Sequence, residues 1–251
     1  MRFVVCLKQV VTREWPVRVG ASGVWIDESQ ASWELNEPDA YALEAALVLR
    51  ERHGGDVIVV SAGPSRVVDV LREALARGAD RAIHVASDAL GAADAFATAQ
   101  ALADALGDER PDVVLTGLQS DDQGFGQVGV VLAERLGMPH ASLVMAIEIE
   151  GTTLRVKREL EGGWSQWLTL PAPAVLTIQS GINQLRYATL KGIMAARRKE
   201  IRTVPAAAAT ARQRVVRLSV PERTKATRMI PGGPAEAAGA LVRHLREARV
   251  I

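Results

Sequence analysis

Residues 56–85, DVIVVSAGPSRVVDVLREALARGADRAIHV, decide the fold. The apolar run Val57–Val60 reads as a buried strand and ends in the turn Ala62-Gly63-Pro64. Ser65 to Arg77 carries its apolar residues at the spacing of one helix face, and Gly78 supplies the stop. Arg81–Val85 is a second short apolar run. Strand, helix and strand in so short a span form a crossover unit, which makes the two strands parallel.

The same alternation extends in both directions. Upstream, RFVVCLKQV reads as one strand, and LNEPDAYALEAALVLRER opens a helix with Asn36 as its cap. Leu43, Ala46, Leu47 and Val48 lie on or near its buried face. Downstream, Asp94 to Leu106 is an alanine-rich helix and PDVVLTG a fourth strand. A loop rich in glycine and aspartate then leads into the helix QVGVVLAERLG. The expected architecture is α/β: a doubly wound, mostly parallel sheet with helices on both faces. Near residue 140 the pattern changes. SLVMAIEIEGTTLRVKREL and WSQWLTL read as antiparallel strands joined at Gly151 and Gly162-Gly163, followed by the buried strand PAVLTIQ. Residues 203–232 read as an extended arm, and AEAAGALVRHLREARV as a closing helix. The division expected is a body, residues 1–202, and an arm with its helix, residues 203–251, that packs on a partner chain.

Composition removes several function classes. A chain of 251 residues with 48% hydrophobic and 24% charged residues is that of a globular protein, and no apolar run is long enough to span a bilayer. The N-terminus reads as a first strand rather than a signal peptide. One cysteine, Cys6, excludes an internal disulfide and any multi-cysteine metal site, which points to the cytoplasm. Charge is lopsided: residues 1–185 hold 15 basic against 25 acidic side chains, and residues 186–251 hold 15 against 4. A basic tail on an acidic body suits nucleic acid or a partner protein. Within RYATLKGIMAARRKEI, residues 186–201, Tyr187 is the one aromatic, and Leu190, Ile193 and Met194 stand beside the charges. That pattern favours protein docking over nucleic acid or direct membrane contact.

In an open parallel sheet, ligands bind at the carboxyl ends of the strands where the strand order reverses. Those ends are Cys6 to Gln9, Ala62 to Pro64, and the loop GLQSDDQGFGQVG from Gly117 to Gly129. Its glycines admit a phosphate to the backbone amides at the following helix start, or they only shape a long loop. Catalytic groups are scarce. The four histidines are scattered, His84 reads as a core residue, and Asp121 and Asp122 read as solvated acids in the loop. No nucleophile has a base beside it in sequence.

VKRELEGGWSQWLTLPAPAVLT, residues 156–177, resembles the signature of the electron transfer flavoprotein β subunit. Val156, Arg158, Glu161-Gly162-Gly163, Gln166, Leu168, Pro173 and Val175-Leu176-Thr177 occupy its positions. VVCLKQV, LNEPDAYALEAAL, SAGP with ALARGADRAIHV, and RYATLKGIMAARRKEI resemble further parts of that family, so about 200 residues are covered. The resemblance implies an adenine-nucleotide-hydrolase-like fold and a heterodimer with an α subunit that holds the working FAD. It implies a structural AMP in this chain, or a second FAD as in electron-bifurcating relatives. It implies electron uptake from acyl-CoA and related dehydrogenases and delivery to a membrane quinone oxidoreductase, with no catalytic residues of its own. The nucleotide-binding residues implied are Cys6, Asn36, Glu37, Pro38, Asp39, Ala62, Gly117, Gln119, Ser120, Asp121, Gly124, Gly126, Gln127 and Val128. Leu190, flanked by Ile193 and Met194, is implied as the dehydrogenase anchor, and Arg158 and Glu159 as residues facing the α subunit. The chain departs from the family pattern in a nucleotide loop one residue shorter, and in Asp39, where many relatives have cysteine. A stand-alone nucleotide-binding stress-type protein is the competing class; it would leave the signature hairpin without a role.

Overall fold

The crossover unit of residues 56–85 supplies the second and third strands from one edge of a nine-stranded sheet in the computed structural model, which describes residues 1–208, 210–221, 227 and 229–251. Residues 209, 222–226 and 228, all in the segment read as an arm, lie outside the described residues. The chain starts with β1 (Arg2–Cys6), β2 (Gln9–Val11), β3 (Trp33–Leu35) and α1 (Glu37–His53). It continues through β4 (Asp56–Gly63), α2 (Val68–Arg77), β5 (Arg81–Ala86), α3 (Ala95–Leu106), β6 (Val113–Gly117) and α4 (Val128–Leu136). β7 (His140–Glu150), β8 (Thr153–Glu159), β9 (Ser165–Pro171) and β10 (Ala174–Ile178) follow, then α5 (Leu190–Ala196), β11 (Ile201–Pro205) and α6 (Pro234–Glu247).

The sheet order is β11-β5-β4-β1-β6-β10-β7-β8-β9. Pairing is parallel from β11 through β7, and the last two pairs, β7–β8 and β8–β9, are antiparallel. β4 and β6 flank β1 on opposite sides, so the strand order reverses at β1. Alternation along β1 supplies both cores. Phe3 and Val5 join the layer holding α1 and α2, while Val4 and Cys6 join the layer holding α3 and α4. Each fully buried large side chain among them, such as Leu43, Leu71 or Leu132, contributes about 1.5–3 kcal/mol through removal from water.

Three details differ from the sequence reading, each for a local reason. RFVVCLKQV is two strands, not one: after Cys6 the chain leaves the main sheet, and β2 pairs antiparallel with β3. The break is held at Lys8, whose amide donates to the Asp39 carboxylate and whose carbonyl accepts from Asn36 N. Asn36 precedes α1, but its side chain makes no capping bond; Pro38 and the acidic Glu37 and Asp39 favour the helix start instead. β11 carries the parallel sheet to Pro205, three residues into the segment read as an arm. Toward the other edge β7 is irregular, with Leu143 at φ 59° and a register shift between Val144 and Ala146.

The described residues divide into two compact units, Met1–Leu218 and Ser219–Ile251. The second holds α6, whose described side chains include none that is buried. Among the described residues no helix is long and apolar enough to cross a membrane.

Candidate functional site

At the reversal point the ends of β1, β4 and β6 open into a cleft. Cys6, Leu7, Ala62, Leu90, Ala93 and Leu102 give it apolar walls, and Lys8, Asn36, Thr98, Gln119, Ser120, Gln123 and Gln127 give it polar edges. Burial pushes the Cys6 thiol well above its ordinary range, so it is a packing side chain rather than a nucleophile.

Asp39 joins three elements at the base of the cleft. Its Oδ2 accepts from Lys8 N at 2.7 Å and its Oδ1 from Gly117 N at 2.8 Å, which links α1 to the ends of β1 and β6. Burial raises its pKa from 3.8 to about 6, against the pull of those two amides. The fit is close: a Cβ at Gly117 would lie 2.6 Å from Asp39 Oδ1 and 2.7 Å from Pro38 Cβ. Glycine is required at position 117 for that contact, not for its backbone angles.

The loop 117–127 is fastened along one side. Asn36 Nδ2 donates to Gln119 O at 3.1 Å, and Asn36 Oδ1 accepts from Asp121 N at 2.9 Å. Lys8 Nζ donates to Ser120 Oγ at 3.2 Å, Asp122 Oδ1 at 2.6 Å and Gln123 Oε1 at 2.9 Å. Arg13 pairs with Glu37 and, at 3.4 Å, with Asp121. An asparagine that sequence reasoning assigns to a helix cap therefore ties a loop.

Where the loop enters α4 the backbone is open. The amides of Gly126, Gln127 and Val128 have no protein acceptor among the described residues, and Gln127 Oε1 is buried without a partner. A helix start with free amides favours an anion. Gly129 sets α4 tight against the strand ends, since a Cβ there would lie 2.5 Å from Thr177 Cγ2 and 2.6 Å from Thr116 Oγ1.

Of the residues implied from sequence, Cys6, Asn36, Asp39, Ala62, Gly117, Gln119, Ser120, Gly126, Gln127 and Val128 line this one cleft. Glu37 and Asp121 instead pair with Arg13 outside it, Pro38 packs behind Gly117, and Gly124 turns the loop at φ 64°. Lys8 and Gln123 line the cleft within the strand-end stretches read from sequence, although neither is among the residues the resemblance implies, and Thr98 lines it from outside those stretches. Strand-end position is a signal for Lys8, but Thr98 is indistinguishable from any first-turn helix residue. Among the described residues no group of three His, Cys, Asp or Glu side chains is placed to hold a metal. His84 is buried, with Nε2 3.0 Å from Gly63 O, a satisfied core histidine.

The other implied residues lie elsewhere. Arg158 donates from Nη2 to Ser142 Oγ at 3.3 Å, and Glu159 accepts from Gln179 Nε2 at 2.8 Å. Leu190, Ile193 and Met194 on α5 are 77%, 43% and 55% exposed, an apolar group with Lys191, Arg197 and Arg198 around it.

A sequence model of the electron transfer flavoprotein domain matches residues 23–209. The electron transfer flavoprotein subunit beta of Methylophilus methylotrophus is 38% identical, with 98% of each chain covered. The chain belongs to the electron transfer flavoprotein β-subunit family. The subunit beta of Bacillus subtilis is 34% identical over 90% of this chain and 91% of its own, and that of Mycobacterium tuberculosis 37% identical over 79% and 76%. The electron transfer flavoprotein match takes in the cleft from Asn36 to Gly129, the strands β8 to β10 that carry the family signature, and α5. It stops before α6.

Proposed function

We propose that this chain is the nucleotide-holding, dehydrogenase-docking half of a two-chain electron carrier. The observation that carries the reading is the pairing of two features within the first compact unit. One is a cleft whose amides at the α4 start have no protein acceptor among the described residues; the other is an exposed apolar group on α5. Family membership supplies the electron-transfer role.

The cleft residues fit AMP. Cys6, Leu7, Ala62 and Leu90 offer an apolar slot for a base. The free amides of Gly126 to Val128 and the α4 start suit one phosphate. Lys8 has three protein acceptors, so it ties the loop and leaves the phosphate to the backbone. AMP bound there supplies no redox chemistry; it satisfies the amides and the Gln127 side chain and completes the packing. The working FAD belongs to the α subunit, against which the arm, α6 and the Arg158–Glu159 corner pack. Electrons come from acyl-CoA or related dehydrogenases and leave to a membrane quinone oxidoreductase, and the carrier works in the cytoplasm.

Leu190 is the dehydrogenase anchor. Burying it in a partner pocket removes apolar surface worth about 1.5–3 kcal/mol, or about tenfold to 150-fold in affinity. Lys191, Arg197 and Arg198 speed the encounter with an acidic partner in a salt-dependent way. The test is steady-state reduction of the heterodimer across dehydrogenase concentrations at two ionic strengths. Leu190→Ala raises the half-saturating concentration at least severalfold and leaves heterodimer assembly and nucleotide content intact. Wild-type kinetics in the variant refute the docking role.

A further inference from the structure

A seven-residue helix does not hold its shape alone in water, because the cost of nucleation exceeds what so few hydrogen bonds return. α5 therefore takes its shape from what it rests on, and it rests on α2. Gly192 lies so close to the last turn of α2 that a Cβ would sit 2.3 Å from Ala76 O. Ala196 is buried in the same contact, and Thr189 Oγ1 caps the helix start by accepting from Gly192 N at 3.0 Å.

Two cations close the contact from opposite sides. Arg72 of α2 donates from Nη1 to Ala196 O at 2.6 Å and to Lys199 O at 2.7 Å, at the carboxyl end of α5. Lys199, just past α5, reaches back to Leu75 O at 3.4 Å and to Ala79 O, at the carboxyl end of α2. Each helix lends a positive side chain to the other's negative end, where backbone carbonyls lack helical partners. Upstream, Arg186 grips Glu44 through Nε and Nη2 at 2.8–3.1 Å and Glu51 at 2.7 Å. The moorings leave Leu190, Ile193 and Met194 facing out.

We propose that Arg72 and Lys199 form a reciprocal clasp that presets α5 in its docking shape, so that both are positioning residues for the dehydrogenase encounter without touching the dehydrogenase. The inference rests on the docking reading above and deepens it. A preset surface binds without first ordering itself. If loss of the clasp leaves α5 competent one-tenth of the time, the apparent affinity falls about tenfold. The maximal rate is unchanged, because the competent state, once docked, is the same.

Arg72→Met in the full heterodimer is the test, with Arg72→Lys as the conservative rescue. The expected result is faster hydrogen exchange at the Leu190–Ala196 amides and a half-saturating dehydrogenase concentration raised about tenfold, with the maximal rate and nucleotide content unchanged. Arg72→Lys recovers most of the loss. The loss persists at high salt, which separates positioning from the simple removal of a surface charge. Gly192→Ala disturbs the contact from the other side without changing charge, and gives the same separation of half-saturation from maximal rate. Wild-type half-saturation in both Arg72→Met and Gly192→Ala overturns the clasp. Wild-type half-saturation in Leu190→Ala overturns the docking reading itself, so the two failures are distinguishable.

Discussion

Replacing Asp39 by asparagine changes the pH dependence of stability in a direction the structure fixes. Asp39 is buried, and its pKa rises from 3.8 to about 6 because burial disfavours the charged form. A carboxyl raised in the folded state contributes stability that is complete below the unfolded value and is lost as pH rises through about 6. The move from 3.8 to about 6 corresponds to about 3 kcal/mol over that range. Asparagine does not titrate. It also cannot accept from both Lys8 N and Gly117 N, as the carboxylate oxygens do, which adds a pH-independent penalty of about 1–3 kcal/mol. The assay is urea denaturation of the wild type and Asp39→Asn at intervals from pH 4 to pH 7.5. The stability difference between the two is largest near pH 4 and shrinks by about 2.4 kcal/mol by pH 7. A difference that stays constant across the range would show that Asp39 is not the raised group, and the account of the cleft base fails.

Other perturbations separate the cleft from the docking surfaces. Lys8→Met removes three tethers of the loop, to Ser120, Asp122 and Gln123, so limited proteolysis near residues 120–126 accelerates and nucleotide is released faster, with little change in Tm. Retention at the wild-type rate would remove Lys8 from the loop's closure. Glu159→Ala loses one hydrogen bond, from Gln179, so stability falls by about 1 kcal/mol at most while the interprotein electron-transfer rate changes. An unchanged rate with several dehydrogenases returns Glu159 to an ordinary surface role.

Much of this was legible because the physics is local. The apolar runs flanking an amphipathic helix in residues 56–85 leave a parallel crossover as their solution, and Gly78 stops its helix at φ 131°. The placement of a cleft at the strand ends follows from topology, and most of the residues from Gly117 to Gly129 line it. What was hidden depends on partners distant in sequence. The polar pair Lys8-Gln9 follows the apolar run Phe3–Leu7 without by itself ending a strand; the break is set by Asp39, which approaches from α1. Asn36 has the side chain of a helix cap and the position of one, yet its amide is used by a loop more than 80 residues away. Arg72 reads as a solvated residue of an amphipathic helix until α5 is set against it. Residues 186–201 show helical spacing, but only the α2 surface makes a stable helix of Leu190–Ala196.

By the function proposed above, the cleft holds one adenine mononucleotide while the redox flavin belongs to the partner chain. Denaturing this chain, purified without its partner, and identifying the released small molecule by mass tests that directly. The expected release is one AMP per chain and no flavin. Release of FAD from this chain alone would make it a two-flavin, bifurcating subunit, and release of no nucleotide would contradict the assignment of the cleft.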